Sequence, residues 1–242
     1  MLFFVNYIFL VVSVLLSVVF ITMLERKIMS YIQIRKGPNK VGFLGLLTPL
    51  ADAIKLLVKY SFQPGNTNIF VFWTSSLFSV ILLFTVWFFF PVGDSNNNFY
   101  FGLLVFFCVS SLNVYSNLGS GWGSNSKYSL LGSLRGAAQV ISYEVGFIFL
   151  VFFLVVWVGN YNLFFFNMFG FFFWVVFSFL FFIWFMFCVA ETNRAPFDFS
   201  EGESELVSGF NTEYGALGFA FLFLGEYGNI IFISFLTILL WF

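Results

Sequence analysis

Six long apolar segments separated by polar segments run along this 242-residue chain. The first, from Leu2 to Leu24, carries no charge, and roughly 20 apolar residues are enough for a helix to cross a bilayer. The apolar residues are continuous and do not alternate with polar ones, which favours helices over a membrane β-barrel. The pattern predicts an all-α integral membrane protein with a single membrane domain over residues 1–242 and about six transmembrane helices, at 2–24, 69–91, 100–118, 137–158, 163–190 and 215–242.

Three longer polar segments connect these spans, at 25–68, 119–136 and 191–214. In the first, Gly37 and Pro38 predict a turn. Further on, Thr48 as cap and Pro49 at the first position predict a helix that ends before Pro64. This helix has an apolar stripe and a charged one, so we expect it to lie along the membrane interface or another subunit. The Gly/Ser-rich second segment predicts a loop.

The charges are few and lie on one side. The chain is 61% hydrophobic and 9% charged, against about 25% charged residues in soluble domains. All ten Lys and Arg fall in the three longer polar segments, whereas the opposite side carries one acidic residue, Asp94. By the positive-inside rule, the three segments face the matrix or cytoplasm.

Acidic residues are concentrated in two settings. Glu144 and Glu226 fall inside predicted spans, where a charge costs about 2.5–3.5 kcal/mol and usually faces a hydrated protein interior. If the span boundaries are shifted, these residues lie at the interface instead. The stretch from Ala190 to Glu213 holds six of the eleven acidic residues and one cation, Arg194. A helix from Phe197 to Val207 would place three of the acidic residues, Asp198, Glu201 and Glu205, on one face. These six are Glu191, Asp198, Glu201, Glu203, Glu205 and Glu213.

The residue inventory excludes several kinds of chemistry. There is no His, so the chain offers no His-based metal site, haem ligand or general base. Its two cysteines, Cys108 and Cys188, are isolated in apolar runs, and neither a phosphate-binding glycine loop nor a nucleic-acid-binding basic patch is present. The remaining possibilities are proton or ion handling, a site for an amphipathic ligand with a small polar head, or a solvated acidic loop.

Several long motifs resemble the quinone-site membrane subunits of respiratory complex I, NADH:ubiquinone oxidoreductase. The resemblance covers the whole chain, although the lipid-facing helices match only in character. Its motifs are ERK (25–27), QIRKGPNKVG (33–42), TPLADAIKLLVK (48–59), GWGSNSKYSLLGSLRGAAQVISYEV (121–145), AETNRAPFDFSEGESELVSGFNTEYG (190–215) and GEYGNI (225–230).

The resemblance implies a quinone tunnel and a polar path that couples quinone reduction to proton translocation. It places six residues around the tunnel: Arg26, Arg35, Asp52, Lys55, Arg194 and Phe197. It assigns ten residues to proton coupling: Glu144, Glu191, Asp198, Glu201, Glu203, Glu205, Glu213, Tyr214, Glu226 and Tyr227. No residue is expected to be catalytic in this chain alone, and no metal site is expected.

The resemblance also implies a cellular setting. Ubiquinone would be the substrate, while NADH, FMN and the iron–sulfur centres would bind to other subunits, and this chain would bind no cofactor. We expect the mitochondrial inner membrane, with the charged loops facing the matrix. The partners would be lipids and the other membrane and peripheral subunits, and no nucleic acid.

Two departures from the family pattern affect these expectations. Tyr60 stands where the family usually has Glu, which removes one charge from the expected tunnel entrance. The family also has two further spans after the sixth, and we expect a separate polypeptide to supply them. Two other functions stay open: the membrane subunit of an energy-converting hydrogenase-type complex, and a purely structural anchor for peripheral subunits.

Overall fold

The structure, a computed structural model, describes residues 2–61, 63–90, 99–202 and 207–242. Within these residues every regular element is helical, and no strand occurs. The α-helices are α1 (Leu2–Ile32), α2 (Thr48–Val58), α3 (Ile69–Phe88), α4 (Gly102–Gly123), α5 (Lys127–Val158), α6 (Leu163–Phe166), α7 (Gly170–Val176), α8 (Ser178–Glu191) and α9 (Ala216–Trp241), with 3₁₀ turns at Phe43–Gly45 and Gly209–Asn211.

Five helices, α1, α3, α4, α5 and α9, are long and apolar enough to cross a membrane. The bent pair α7 and α8 brings the number to six if it is counted as one span. The protein is therefore an all-α integral membrane protein, as the hydropathy pattern predicts. The amphipathic helix expected in the first polar segment is present as α2, with Pro49 in its first turn. The predicted cap was wrong by one residue, because Leu47 is the N-cap and Thr48 is already helical.

The predicted Gly/Ser-rich loop at 119–136 is helical over most of its length, so that prediction was wrong. Helix α4 continues to Gly123, and α5 begins at Lys127 after a short turn. The Ser126 side chain accepts a hydrogen bond from the Ser129 backbone N–H and caps α5. Ser120 and Ser133 donate to carbonyls of their own helices, those of Asn117 and Leu130, whereas Ser129 donates to the Phe210 carbonyl. The polar composition therefore marks helix ends and not an extended loop.

The predicted fifth span, 163–190, is broken. It forms α6, α7 and α8, and the axes of α7 and α8 differ by 106°. At the bend, Phe177 leaves the helical conformation, and its ring packs against Phe153 and Trp157 of α5. No proline marks this position, so hydropathy alone predicts one continuous helix. Tertiary packing of the aromatic rings coincides with the break.

The core is built around α4, which lies between α3 and α5. Helix α9 packs on α3, α8 packs on α5, and α1 flanks α9. Much of the contact is aromatic: the Phe147 and Trp184 rings stack with centroids 4.6 Å apart, and Phe106 stacks on Phe232 at 5.4 Å. Helices α4 and α9 meet at the Phe106 and Phe232 rings, and polar residues of both helices line a cavity between them.

Gly132 lets the segment after α8 approach the backbone of α5. A Cβ atom on Gly132 would lie 2.8 Å from the Ser200 carbonyl oxygen and 2.9 Å from the Gly209 Cα atom. Both are backbone atoms, so neither can rotate away. We call the polar segment 191–214 the acidic segment, and glycine at position 132 fixes how closely its residues Ser200 and Gly209 lie against α5.

We predict that Gly132→Ala displaces the acidic segment and lowers the stability of the assembled protein by about 1–3 kcal/mol, the usual cost of overpacking. Thermal unfolding in detergent measures this change. Gly65→Ala is the matched control, because a Cβ atom on Gly65 meets nothing within 4 Å. Equal stability of the two variants would contradict the close approach.

Candidate functional site

Among the cavities along α9, two are lined by consecutive residues of this helix. Tyr227 lines a cavity of about 600 Å³ between α1, α9 and the turn after α1. Glu226 lines a cavity of about 50 Å³ between α3, α4, α9 and the end of α8. We call the first the basic cavity, since Arg26 and Arg35 line it, and the second the acidic cavity, since Glu191 lines it together with Glu226.

The basic cavity joins charged groups to an apolar wall. Arg26 reaches from α1 to α2, where its Nη1 donates to Asp52 Oδ2 at 3.1 Å. Arg35 lies past the end of α1, and its Nε donates to Gln33 Oε1 at 2.9 Å. Met29 and Phe223 supply apolar surface on the same cavity. The arrangement suits a ligand with a polar head and an apolar body.

A three-residue contact joins the wall of the basic cavity to the segment after α8. Arg194 donates to both carboxylate oxygens of Glu25, from Nη1 at 2.9 Å and from Nη2 at 3.4 Å. Tyr227 donates its hydroxyl to Glu25 Oε2 at 2.8 Å, and the Arg194 guanidinium lies 4.8 Å from the centre of the Tyr227 ring. Burial opposes the charge of Arg194, but its contacts with Tyr227 and Glu25 raise its pKa overall. Arg194 therefore stays charged.

The acidic cavity holds Glu191 and Glu226 among amide side chains. Glu191 ends α8, and its Oε2 is buried and has no hydrogen-bond partner among the described residues. The lining amides are Asn113, Asn117, Asn193 and Asn229.

Glu144 lies behind the acidic cavity on α5, where it is 8% exposed. It accepts a long hydrogen bond, 3.4 Å, from the hydroxyl of Ser110, which lines the cavity. The charges of Glu144 and Glu191 also interact. Glu144, Glu191 and Glu226 thus belong to one polar interior, and a charge there is tolerated only where protein groups or water solvate it.

The chain forms turns between the end of α8 and Gly202. The helix considered for Phe197–Val207 is therefore absent from Phe197 to Gly202. Asp198 Oδ1 accepts a hydrogen bond from the Glu201 backbone N–H at 3.2 Å, a side-chain turn that replaces helical bonding. Asn211 donates to Glu201 Oε1 at 3.2 Å. Glu203 and Glu205 lie outside the described residues, and Glu213 is half-buried before α9.

Three other predicted site residues line neither the basic nor the acidic cavity. Lys55 is exposed on α2, and Phe197 packs edge-on against Tyr143 at 5.4 Å. Tyr214 stacks on Phe72 with ring centroids 4.0 Å apart, and its hydroxyl donates to the Phe72 carbonyl at 3.1 Å. Burial raises the pKa of Tyr214 to about 12, against an opposing hydrogen bond with Ser75. Tyr214 therefore stays protonated near neutral pH.

Sequence reasoning missed several residues of this site. Glu25 was noted only within a motif, yet it holds Arg194 and Tyr227 together. Gln139 donates from Nε2 to the carbonyls of Ala190 and Phe197, each at 2.8 Å, and so anchors the segment after α8 to α5. A detectable signal existed on α4, where Ser110, Asn113 and Asn117 recur at intervals of three and four. No cluster of three or more potential metal ligands occurs in the described part of the chain.

The fold and the site together define an all-helical membrane protein with carboxylates enclosed between its spans. The model of the NADH dehydrogenase family matches residues 5–242, and the chain belongs to this family. Membership makes it a subunit of NADH:ubiquinone oxidoreductase, the respiratory complex I, and its partners include other subunits of that complex.

Proteins named NADH-ubiquinone oxidoreductase chain 1 are similar over almost the whole chain. The protein from Aedes aegypti is 48% identical over 229 residues, which are 94% of this chain and 73% of that protein. The one from Heterololigo bleekeri is 51% identical over 239 residues, which are 96% of this chain and 74% of that protein. The one from Lampetra fluviatilis is 45% identical over 230 residues, which are 94% of this chain and 72% of that protein.

We predict that Tyr214→Phe lowers stability by about 1 kcal/mol, because the variant keeps the stacked ring and loses the hydroxyl's hydrogen bonds. Thermal unfolding measures the loss, and we expect proton translocation per electron in the assembled complex to equal that of the unmodified protein. Reduced translocation with unchanged stability would instead give Tyr214 the proton-coupling role that the family resemblance implies.

Proposed function

We propose that the basic cavity forms part of the binding site for ubiquinone. Its volume of about 600 Å³ lies in the range typical of small-molecule sites, roughly 300–1,000 Å³. Arg26 and Arg35 offer polar hydrogens to the carbonyl oxygens of a quinone, while Met29 and Phe223 suit its apolar tail. Asp52 holds Arg26 in place from α2, although both side chains are about half exposed, so this ion pair contributes little to stability.

The acidic cavity then serves proton coupling, and one observation carries this proposal. Glu226 and Tyr227 are neighbours on α9, yet Glu226 faces the acidic cavity while Tyr227 faces the basic one. A change of charge in the basic cavity therefore occurs one residue away from a membrane-embedded carboxylate. Arg194, bound to Tyr227 and Glu25, also interacts electrostatically with Glu226.

The chain's residues act in sequence in this mechanism. Electrons reach the quinone from other subunits, and reduction to the quinol consumes protons. Negative charge arriving in the basic cavity attracts Arg194, and the field on Glu226 changes because the two groups interact. Glu226 and Glu191 then exchange protons with each other, and Glu144, whose charge interacts with that of Glu191, passes them deeper into the membrane. Asp198 and Glu201 lie at the mouth of this path.

The setting of the chain is part of the same proposal. Its family and its apolar helices support a place in the mitochondrial inner membrane, with the basic loops on the matrix side by the positive-inside rule. The matched relatives are longer, since the alignment covers 73–74% of the first several. Lipids would cover the exposed apolar faces of the helices.

The family membership favours the respiratory complex over a hydrogenase-type complex. A purely structural anchor would not need two carboxylates directed into one enclosed cavity, where each raises the free energy of insertion.

We predict that Met29→Trp, which narrows the basic cavity, raises the KM for ubiquinone in the assembled complex by about tenfold, equivalent to about 1.4 kcal/mol of binding. NADH oxidation by a hydrophilic acceptor that does not enter the cavity should be unchanged. Met168→Trp is the matched control, because Met168 is 79% exposed on the turn before α7. An unchanged ubiquinone KM in Met29→Trp would remove the basic cavity from the binding site.

We predict that Glu226→Gln slows coupled turnover by about a hundredfold, the lower end of what a positioned proton carrier contributes. Proton translocation per electron, measured in proteoliposomes, should fall with it. Asp94→Asn is the control, because the sequence predicts Asp94 on the opposite side of the membrane. Normal coupling in a fully assembled Glu226→Gln complex would favour the structural anchor.

A further inference from the structure

A polar stripe on α4 forms one wall of the acidic cavity. Ser110, Asn113 and Asn117 all line this cavity, and their spacing of three and four places them on one face of the helix. The surrounding residues of α4 are largely apolar, as in Val109 and Val114. Asparagine in a transmembrane helix needs hydrogen-bond partners, because lipid supplies none.

Both amides remain incompletely bonded. The Ser116 hydroxyl lies 3.1 Å from Asn113 Oδ1 and 3.4 Å from Asn117 Oδ1. The side-chain nitrogen of neither asparagine contacts a hydrogen-bond partner among the described residues. Across the cavity, Glu191 Oε2 and Asn193 Oδ1 are buried and likewise without a described partner. Donors and acceptors thus line the same space without meeting.

The cavity has room for water to join them. Its volume is about 50 Å³, whereas one water needs roughly 10–15 Å³ measured in this way. A few water molecules therefore fit, and each would find the several polar partners that a buried water requires. Ser110 connects the same face of α4 to Glu144 through its 3.4 Å hydrogen bond.

We propose that Asn113 and Asn117 hold the water that connects Glu191 and Glu226 to Glu144, and that they are positioning residues for proton transfer along this route. The proposal rests on the proposed proton-coupling function and adds the element that this function lacks, a hydrogen-bonded connection between carboxylates. The amides bind and release no proton. They orient the water, so replacing them by apolar groups of similar size empties the connection and leaves the acids in place.

The test is the double variant Asn113→Leu, Asn117→Leu in the assembled complex. We expect proton translocation per electron to fall by at least about tenfold, because proton transfer needs groups or water within hydrogen-bond reach. Quinone reduction in the presence of an uncoupler should stay near the unmodified rate. The matched control is Asn6→Leu, the same substitution at an exposed position of α1.

A second measurement separates positioning from a structural role. Infrared difference spectra on quinone reduction follow the carbonyl band of the buried carboxylic acids, and its hydrogen–deuterium exchange reports water access. We expect slower exchange in the double leucine variant, and recovery of both exchange and translocation when Asn113→Ser, Asn117→Ser restores small polar groups.

Glu226→Gln, measured in parallel, distinguishes the two possible failures. If Glu226→Gln loses translocation while the double leucine variant keeps normal translocation and exchange, the role of the asparagines is overturned and the proton-coupling function stands. If neither variant affects translocation, the proton-coupling function is overturned, and the role of the asparagines with it.

Discussion

The contact of Arg194 with Glu25 and Tyr227 is the interaction on which the site depends. It joins three parts of the chain that are far apart in sequence: the end of α1, the segment after α8 and the middle of α9. The guanidinium meets the carboxylate through two hydrogen bonds and lies over the tyrosine ring, so its position is fixed in more than one direction. Any ligand in the basic cavity therefore encounters a preformed group of charges.

The membrane interior strengthens the electrostatic effect of Arg194 and Glu25 on nearby charged groups. Charges in a low-dielectric surrounding act on each other more strongly than in water, and the acidic cavity lies directly behind Tyr227 on the same helix. Consecutive residues of α9, Glu226 and Tyr227, line the two cavities, so a charge in one cavity lies close to the carboxylate that lines the other. The Phe106 and Phe232 rings bring α4 and α9 into contact at one side of the acidic cavity, and the small volume of this cavity limits how many charges it can solvate.

Hydropathy predicted the membrane class and most helices because burial in lipid leaves a strong signal in composition. It did not predict the bend at Phe177, because no proline marks the position and the break coincides with packing of the Phe177 ring. It also did not predict that α4 and α5 continue into a Gly/Ser-rich stretch, where Ser120 and Ser133 bond within their own helices. Motif resemblance indicated Arg26, Arg194, Glu191 and Glu226, whose charges stand out in an apolar chain. Glu25 and Gln139 were missed because their roles come from partners more than fifty residues away in sequence.

The central claim is that Glu25 and Arg194 act as one unit in coupling, and a double-mutant cycle tests it most directly. Glu25→Gln, Arg194→Gln and the combined variant are compared in the assembled complex by proton translocation per electron. The account predicts that each single variant lowers translocation and that the combined variant is no worse than the more affected single one, as expected for residues in one contact. Losses that multiply independently, or normal translocation in either single variant, would contradict it.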